Sequence, residues 1–256
     1  MENALLIGLS RQIALQRELE VVANNVANLN TTGYKADGSV FEEFLMPLAR
    51  AGGDQGGGQR LSYVQDRATW HDFNPGPTRQ TGNPLDVAID GDAFLVVQTP
   101  RGERYTRNGS LQINATGELV TTTGDRVLGE GGPIQLQNTD HDVSINPDGT
   151  ITVREGANTT SDSARGKLRL VHFDSVQQLQ KDGSSLFTAP NGVAPQPASA
   201  NVRVIQGSIE QSNVRGVVEM SRMIELTRTY AQVASMLQQA GDLRNTSIDK
   251  LAEVPA

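Results

Sequence analysis

VVANNVANLNTTGYK, Val21–Lys35, is the stretch whose reading decides the fold. Its first half continues an apolar periodicity in which Leu15, Leu19, Val22, Val26 and Leu29 recur at steps of four and three, the spacing of one helical seam. Its second half stops that pattern, and the spacing predicts a helix from about residue 3 to about residue 29, ended before Gly33. Leu5, Leu6, Leu9 and Ile13 are expected to extend the seam towards the start with a small phase shift. Four asparagines occupy the seven positions 24–30, although asparagine is a mediocre helix former whose amide competes for the backbone. Asn30 is expected to take the left-handed cap conformation at the helix end. Asn24 and Asn28 fall opposite the seam and Asn25 on its flank. Their amides, donor and acceptor at once, suit lateral contacts with neighbouring helices that bury no charge.

A second seam lies at the other end of the chain, where Met223, Leu226, Tyr230, Val233, Leu237 and Ala240 alternate steps of three and four. Gly216 and Gly241 bracket its strongest part, and Leu243, Ile248 and Leu251 could continue it. The economical arrangement packs the two seams together, a helix pair built from opposite ends of the chain. Periodicity alone fits an ordinary helix pair packed on a domain. However, Thr229–Gly241 carries no charged residue on any face, which favours contacts on several sides and hence assembly with other chains. The net charge of −7 is concentrated between the two ends. Residues 1–35 hold Arg11, Arg17 and Lys35 against Glu2, Glu18 and Glu20, and the last stretch is equally near neutral. Near-neutral amphipathic ends on an acidic centre fit self-association, and the acidic balance argues against nucleic acid as a partner.

Between the helices the period changes. Residues 51–59, AGGDQGGGQ, have no apolar side chain apart from Ala51 and read as a flexible loop. From Leu61 the chain becomes strand and turn: LSYVQD, LDVAI, FLVVQT, ERYTR, SLQIN, ELVTT and DRVLG, separated by glycine-containing turns. Alternation at that turn density predicts antiparallel β-structure. Asp90-Gly91-Asp92 is read as a hairpin turn, DVSINPDGTITVRE as a hairpin, and KLRLVHF and NVRVIQGSIEQS as strands. The fold expected is therefore α+β: long N- and C-terminal helices paired in a coiled-coil-like helical domain, with a central antiparallel all-β domain. Its expected divisions are 1–35, a linker and extended segment at 36–75, the β-domain at 76–204, and 205–256.

Little of this points to catalysis. The chain has no cysteine, which removes disulfides and thiolate chemistry. Of its three histidines only His141, between Asp140 and Asp142, suggests a metal ligand, and on a strand it points away from both acids. An acidic surface turn is the better reading, so no metal, no cofactor and no enzyme activity are expected. No run has the length of a membrane helix, and the start lacks the positive charge and cleavage site of a signal peptide.

Three segments together resemble the bacterial flagellar rod and hook family: ANNVANLNTTGYKA at 23–36, the β-segment at 85–129, and GSIEQSNVRGVVEMSRMIELTRTYAQ at 207–232. They stand in the family's order and are spread from residue 23 to residue 232 of the chain. The length and the opening ENALLIGLSRQIALQRELEVVANN are similar to the proximal rod members, with the distal rod protein as the alternative. The resemblance implies a structural subunit whose terminal helices line a tube around an export channel, with itself and other rod proteins as partners. It implies unfolded export by the flagellar type III apparatus without a cleaved signal peptide. On that reading Asn24, Asn25 and Asn28 contact adjacent subunits, while Thr31, Thr32, Gly33, Tyr34 and Lys35 turn the chain out to the next layer. A reading from another class is a secreted, oligomeric β-domain that binds a ligand or surface.

Overall fold

The computed structural model describes residues 2–47, 60–137, 139–155, 162–183 and 185–252, so the glycine-rich stretch 51–59 lies outside the described residues. The chain divides into two units, one built from residues 1–27, 37–71 and 215–256, the other from 28–36 and 72–214. Among the described residues no helix is long and apolar enough to cross a membrane.

The first unit contains helix α1 (Glu2–Ala27), helix α2 (Gly216–Ala252) and the antiparallel strands β1 (Asp37–Pro47) and β2 (Arg60–His71). Leu15 and Val22 of α1 bury against Leu226 and Val233 of α2, with Leu19, Val26, Met223, Tyr230 and Leu237 packed around them. Four fully packed side chains of this kind contribute roughly 1.5–3 kcal/mol each. Two expected seam members are absent from that cluster: Leu29 lies beyond the last helical turn, and Ala240 is only half-buried. Towards the start of α1 the seam runs through Gly8 and Gln12 instead of leucines. Gly8 sits so close to Leu237 that an added Cβ would lie 2.5 Å from its Cδ2, and Gln12 donates from Nε2 to the Tyr230 hydroxyl at 3.0 Å. Leu6, Leu9 and Ile13 therefore do not extend the seam; they lie on the opposite face and are about half exposed or more, while the side chain of Leu5 lies outside the described residues. The expected linker at 36–75 contains the long β1–β2 pairing, which runs from Asp37↔His71 to Pro47↔Arg60.

The second unit is antiparallel β-structure. Its main sheet aligns strands at 180–181, 186–188, 102–106, 94–99, 126–129, 119–121 and 111–113. FLVVQT at its centre explains the layering, because alternate side chains of a strand point to opposite faces. Leu95 and Val97 join a cluster with Val87, Leu111, Leu119, Val127, Ile151 and Leu168. Phe94 and Val96 join the other face, with Tyr105, Phe173, Leu179 and Phe187. This second core is aromatic: Phe94 meets Phe173 edge-on at 5.9 Å, and Phe73 meets Phe94 at 5.8 Å. Four of the six phenylalanines of an aromatic-poor chain are gathered here.

Three connections differ from the sequence reading. Asp90-Gly91-Asp92 joins no hairpin, because Val87–Asp90 pairs with Arg203–Gln206 and not with the strand that follows it. NVRVIQGSIEQS is two strands in two sheets: after Arg203–Gln206 the chain bends at Gly207, φ +70°, and Ser208–Glu210 pairs with Thr78–Gln80. KLRLVHF is likewise split, between strands ending at Lys167 and starting at Leu170.

Candidate functional site

In the first unit the helix end and the hairpin base are joined through one asparagine. Asn25 accepts from the Asp37 backbone N–H with Oδ1 at 2.9 Å and donates from Nδ2 to the Asp37 carbonyl at 2.8 Å. Nδ2 also lies 3.4 Å from Glu219 Oε2 on α2. Asn25 is 1% exposed. Instead of reaching laterally, it brackets the first residue of the hairpin strand with a donor and an acceptor. The Asp37 carboxylate in turn holds His71 Nδ1 at 2.6 Å, tying the two ends of the hairpin base together. Asn24, one residue earlier, is exposed, and Asn28 is half-buried and accepts from the Thr31 hydroxyl at 3.0 Å. Asn30 is not left-handed: among the described non-glycine residues only Asp142 and Ser185 have positive φ, and the left-handed turn is made by Gly33, φ +66°.

In the second unit the segment Gly33–Ala36 lies against the end of the Ser208–Glu210 strand and the residues that follow it. The Gly33 N–H donates to the Glu210 carbonyl at 2.8 Å, and the Ala36 N–H to Asn213 Oδ1 at 2.8 Å. Asn213 Nδ2 donates to the carbonyls of Asp72, at 2.7 Å, and Asn74, at 3.0 Å. At the centre lies the Glu210 carboxylate. One oxygen receives Lys35 Nζ at 2.6 Å and the Gly76 N–H at 2.9 Å; the other receives Arg107 Nε at 2.8 Å. Lys35 also donates to the Asn74 carbonyl, and Arg107 to the carbonyls of Gly91 and Ala93. All three charges are buried, Lys35 at 1% exposure. Burial outweighs the attraction of Glu210 and lowers the Lys35 ammonium below its ordinary value.

Thr31 and Thr32 are half-buried, but Gly33, Tyr34 and Lys35 are buried within the chain's own second unit rather than presented outward. Lys181 crosses the Tyr34 ring 3.8 Å from its centroid and donates to the Lys35 carbonyl. Gly33 is pressed against the backbone of Arg107 and Asn108, where a Cβ would lie 2.4 Å from both. Sequence reasoning missed Arg107, Glu210 and Asn213. One signal for them was available: each of the three segments that carry the family resemblance contributes one charge to the cluster, Lys35, Arg107 and Glu210.

A different surface remains on the helices. Leu6, Leu9 and Ile13 of α1 stand at i, i+3 and i+7, as do Val217, Met220 and Ile224 of α2. Both triplets form a stripe away from the buried seam, and Val217 is 81% exposed. Asp140-His141-Asp142 is not a surface turn but the start of the strand Asp140–Ile145, and it supplies no ligand set: Asp140 is held by Arg165 through Nε at 2.8 Å and by the Gln137 N–H, and Arg154 reaches Asp142. The hydrogen bonds from Arg165 hold the Asp140 carboxyl below the usual carboxylate range. Among the described residues no group of three or more acidic or histidine side chains could hold a metal ion.

Comparison with known proteins gives three family matches along the chain. Residues 5–35 match the flagella basal body rod protein family, residues 88–153 the D1 domain of the flagellar hook protein FlgE/F/G, and residues 205–250 the C-terminal region of the flagellar basal body rod FlgEFG proteins. A flagellar basal-body rod protein FlgF of Caulobacter vibrioides is 37% identical over 99% of this chain and 100% of its own length. The FlgF of Mesorhizobium japonicum is 33% identical over 98% of both chains. A rod protein FlgG of Bacillus subtilis is 29% identical over 95% of this chain and 97% of its own.

Proposed function

The chain belongs to the flagellar basal-body rod protein family and is FlgF-like within it, and from that premise we propose that it is a structural subunit of the proximal rod that polymerises through α1 and α2. The family is a structural one, located at the flagellar basal body, and its members assemble with other rod proteins. In our reading the two helices pair in a coiled-coil-like manner. With like pairs from other subunits they build a tube that transmits torque and encloses the export channel. The chain reaches that position through the flagellar type III export apparatus without a cleaved signal peptide, and it carries no catalysis. Residues 1–27 and 215–256 supply the assembly region together with the hairpin at 37–71, narrower than the expected 1–35 and 205–256, and 72–214 supplies the bulk of the β-domain. Asn24, Asn28, Thr31 and Thr32 meet adjacent subunits.

The observation that supports this most directly is the second apolar stripe on each helix. A helix of a free-standing protein buries one stripe and solvates the other side. These helices bury the seam and still present Leu6, Leu9, Ile13, Val217, Met220 and Ile224. The test replaces Leu9 and Ile224 with serine in the full chain and compares that strain with a deletion strain. Both should be non-motile with basal bodies stalled before the distal rod, while the purified double variant keeps the parent's melting temperature. Complete hooks and normal swimming in either strain would overturn the proposal.

A further inference from the structure

We propose that Glu210 is a positioning residue that latches segment 33–36 into the second unit, so that this segment orders only together with the Ser208–Glu210 strand. The geometry sets Glu210 apart from an ordinary ion-pair partner. Its backbone carbonyl holds the Gly33 N–H, while its carboxylate holds Lys35 on one oxygen and Arg107 on the other. The oxygen that binds Lys35 also binds the Gly76 N–H, and Lys35 donates onward to the Asn74 carbonyl two residues earlier. Three stretches far apart in sequence, at 33–36, 74–76 and 107, therefore meet on one side chain that is itself buried.

The cluster carries two cations and one anion. Arg107 has other acceptors in the carbonyls of Gly91, Ala93 and Ile89. Among the described residues the Lys35 ammonium donates to Glu210 and to the Asn74 carbonyl. Neutralising Glu210 thus leaves Lys35 as the charge with least compensation, and the segment that carries it is the one expected to leave. In the chain, residue 36 follows α1 by nine positions, and Asn213 precedes α2 by three. Ala36 donates to Asn213, so the segments that precede β1 and α2 are hydrogen-bonded to each other beside Glu210. In a chain folding from its N-terminus onward, segment 33–36 stays open until residue 210 is available.

The test is amide hydrogen exchange on the free, full-length chain. It is therefore independent of motility and of whether the rod reading holds. Glu210→Gln should accelerate exchange at Gly33, Ala36 and Gly76 about 100-fold or more, the equivalent of losing one partner of a buried pair. The amide of Val96, deep in the main sheet, should keep its protection. Adding Lys35→Met should restore a good part of the loss, because the uncompensated cation is then gone. Unchanged exchange in Glu210→Gln, an equal acceleration at Val96, or a double variant no better than the single would overturn the inference. Should Glu210→Gln not fold, Lys35→Met alone decides: exchange should rise at Gly33 and Ala36 and not at Gly76, whose acceptor remains held by Arg107. Equal behaviour of the three amides would refute it.

Discussion

Gly33→Ala isolates what the TTGYK turn demands. Gly33 has φ +66°, and an added Cβ would meet the Arg107 carbonyl carbon and the Asn108 nitrogen at 2.4 Å, with the Arg107 oxygen at 2.6 Å. Two costs combine. A left-handed alanine is worse than glycine by about 1–2 kcal/mol. The contact is with backbone, not with a side chain that can swing away. Relief would move residue 107, whose guanidinium is fixed to Glu210 and two carbonyls. Breaking such a buried network adds about 2–3 kcal/mol, for a total of about 3–5 kcal/mol. Gly82 provides the internal control: its φ is +74°, and nothing lies within 4 Å of its would-be Cβ. Gly82→Ala should therefore cost only the conformational term, about 1–2 kcal/mol. Thermal unfolding followed by circular dichroism reads the difference, at about 2–4 °C per kcal/mol for a chain of this size. Gly33→Ala should melt about 4–12 °C lower than Gly82→Ala by that scaling. Equal melting temperatures would refute the argument, since only the close approach separates the two sites.

Two further outcomes follow from the same contacts. Asn25→Ala leaves the N–H and the carbonyl of Asp37 without their side-chain partner and should cost about 1–3 kcal/mol in urea unfolding, whereas exposed Asn24→Ala should change stability by less than about 0.5 kcal/mol; equal effects would contradict the bracket. Lys35 gives a pH signature. Its folded-state pKa lies below the ordinary 10.5 through burial, so between that lowered value and 10.5 the unfolded chain binds more protons than the folded one. The contribution of this group to stability rises with pH across that window. Urea titrations of Lys35→Met against the parent at pH 8 to 10.5 should show the rise lost in the variant, and parallel curves would show that Lys35 does not titrate this way.

The helical ends and the strand-rich middle are legible in the sequence because apolar spacing reports one face of one element at a time. What escapes is what depends on a partner far along the chain. Lys35 and Glu210 are 175 positions apart, so a lysine after glycine and tyrosine reads as a solvated turn until the strand that buries it is in place. Leu6, Leu9 and Ile13 mimic seam positions because they are apolar and nearly in phase. The actual seam position is Gly8, invisible to a count of apolar residues, and its role is set by the bulk of Leu237. Residues 36–75 took on the character of the glycine-rich stretch they contain, although LSYVQD already showed strand alternation. Gly207 hides the sheet change in NVRVIQGSIEQS, because a left-handed glycine interrupts no apolar pattern.

The distribution of burial separates two roles that the sequence had merged. Gly33, Tyr34, Lys35 and Asn25 spend their interactions inside the chain, so the signature around them builds the subunit. The helix stripes do the opposite. Leu6, Leu9, Ile13, Val217, Met220 and Ile224 each retain about half or more of their surface. Covering that remainder would contribute about 1 kcal/mol apiece, or roughly 6 kcal/mol in all. Against a folding stability of about 5–15 kcal/mol this is a large share, and it corresponds to about four orders of magnitude in an association constant before ordering costs. Any partner that covers those stripes stabilises the folded helices by mass action. The first unit, whose helices carry these faces, should therefore gain order on assembly, whereas the second, with two buried cores and an internal charge latch, is complete in the single chain.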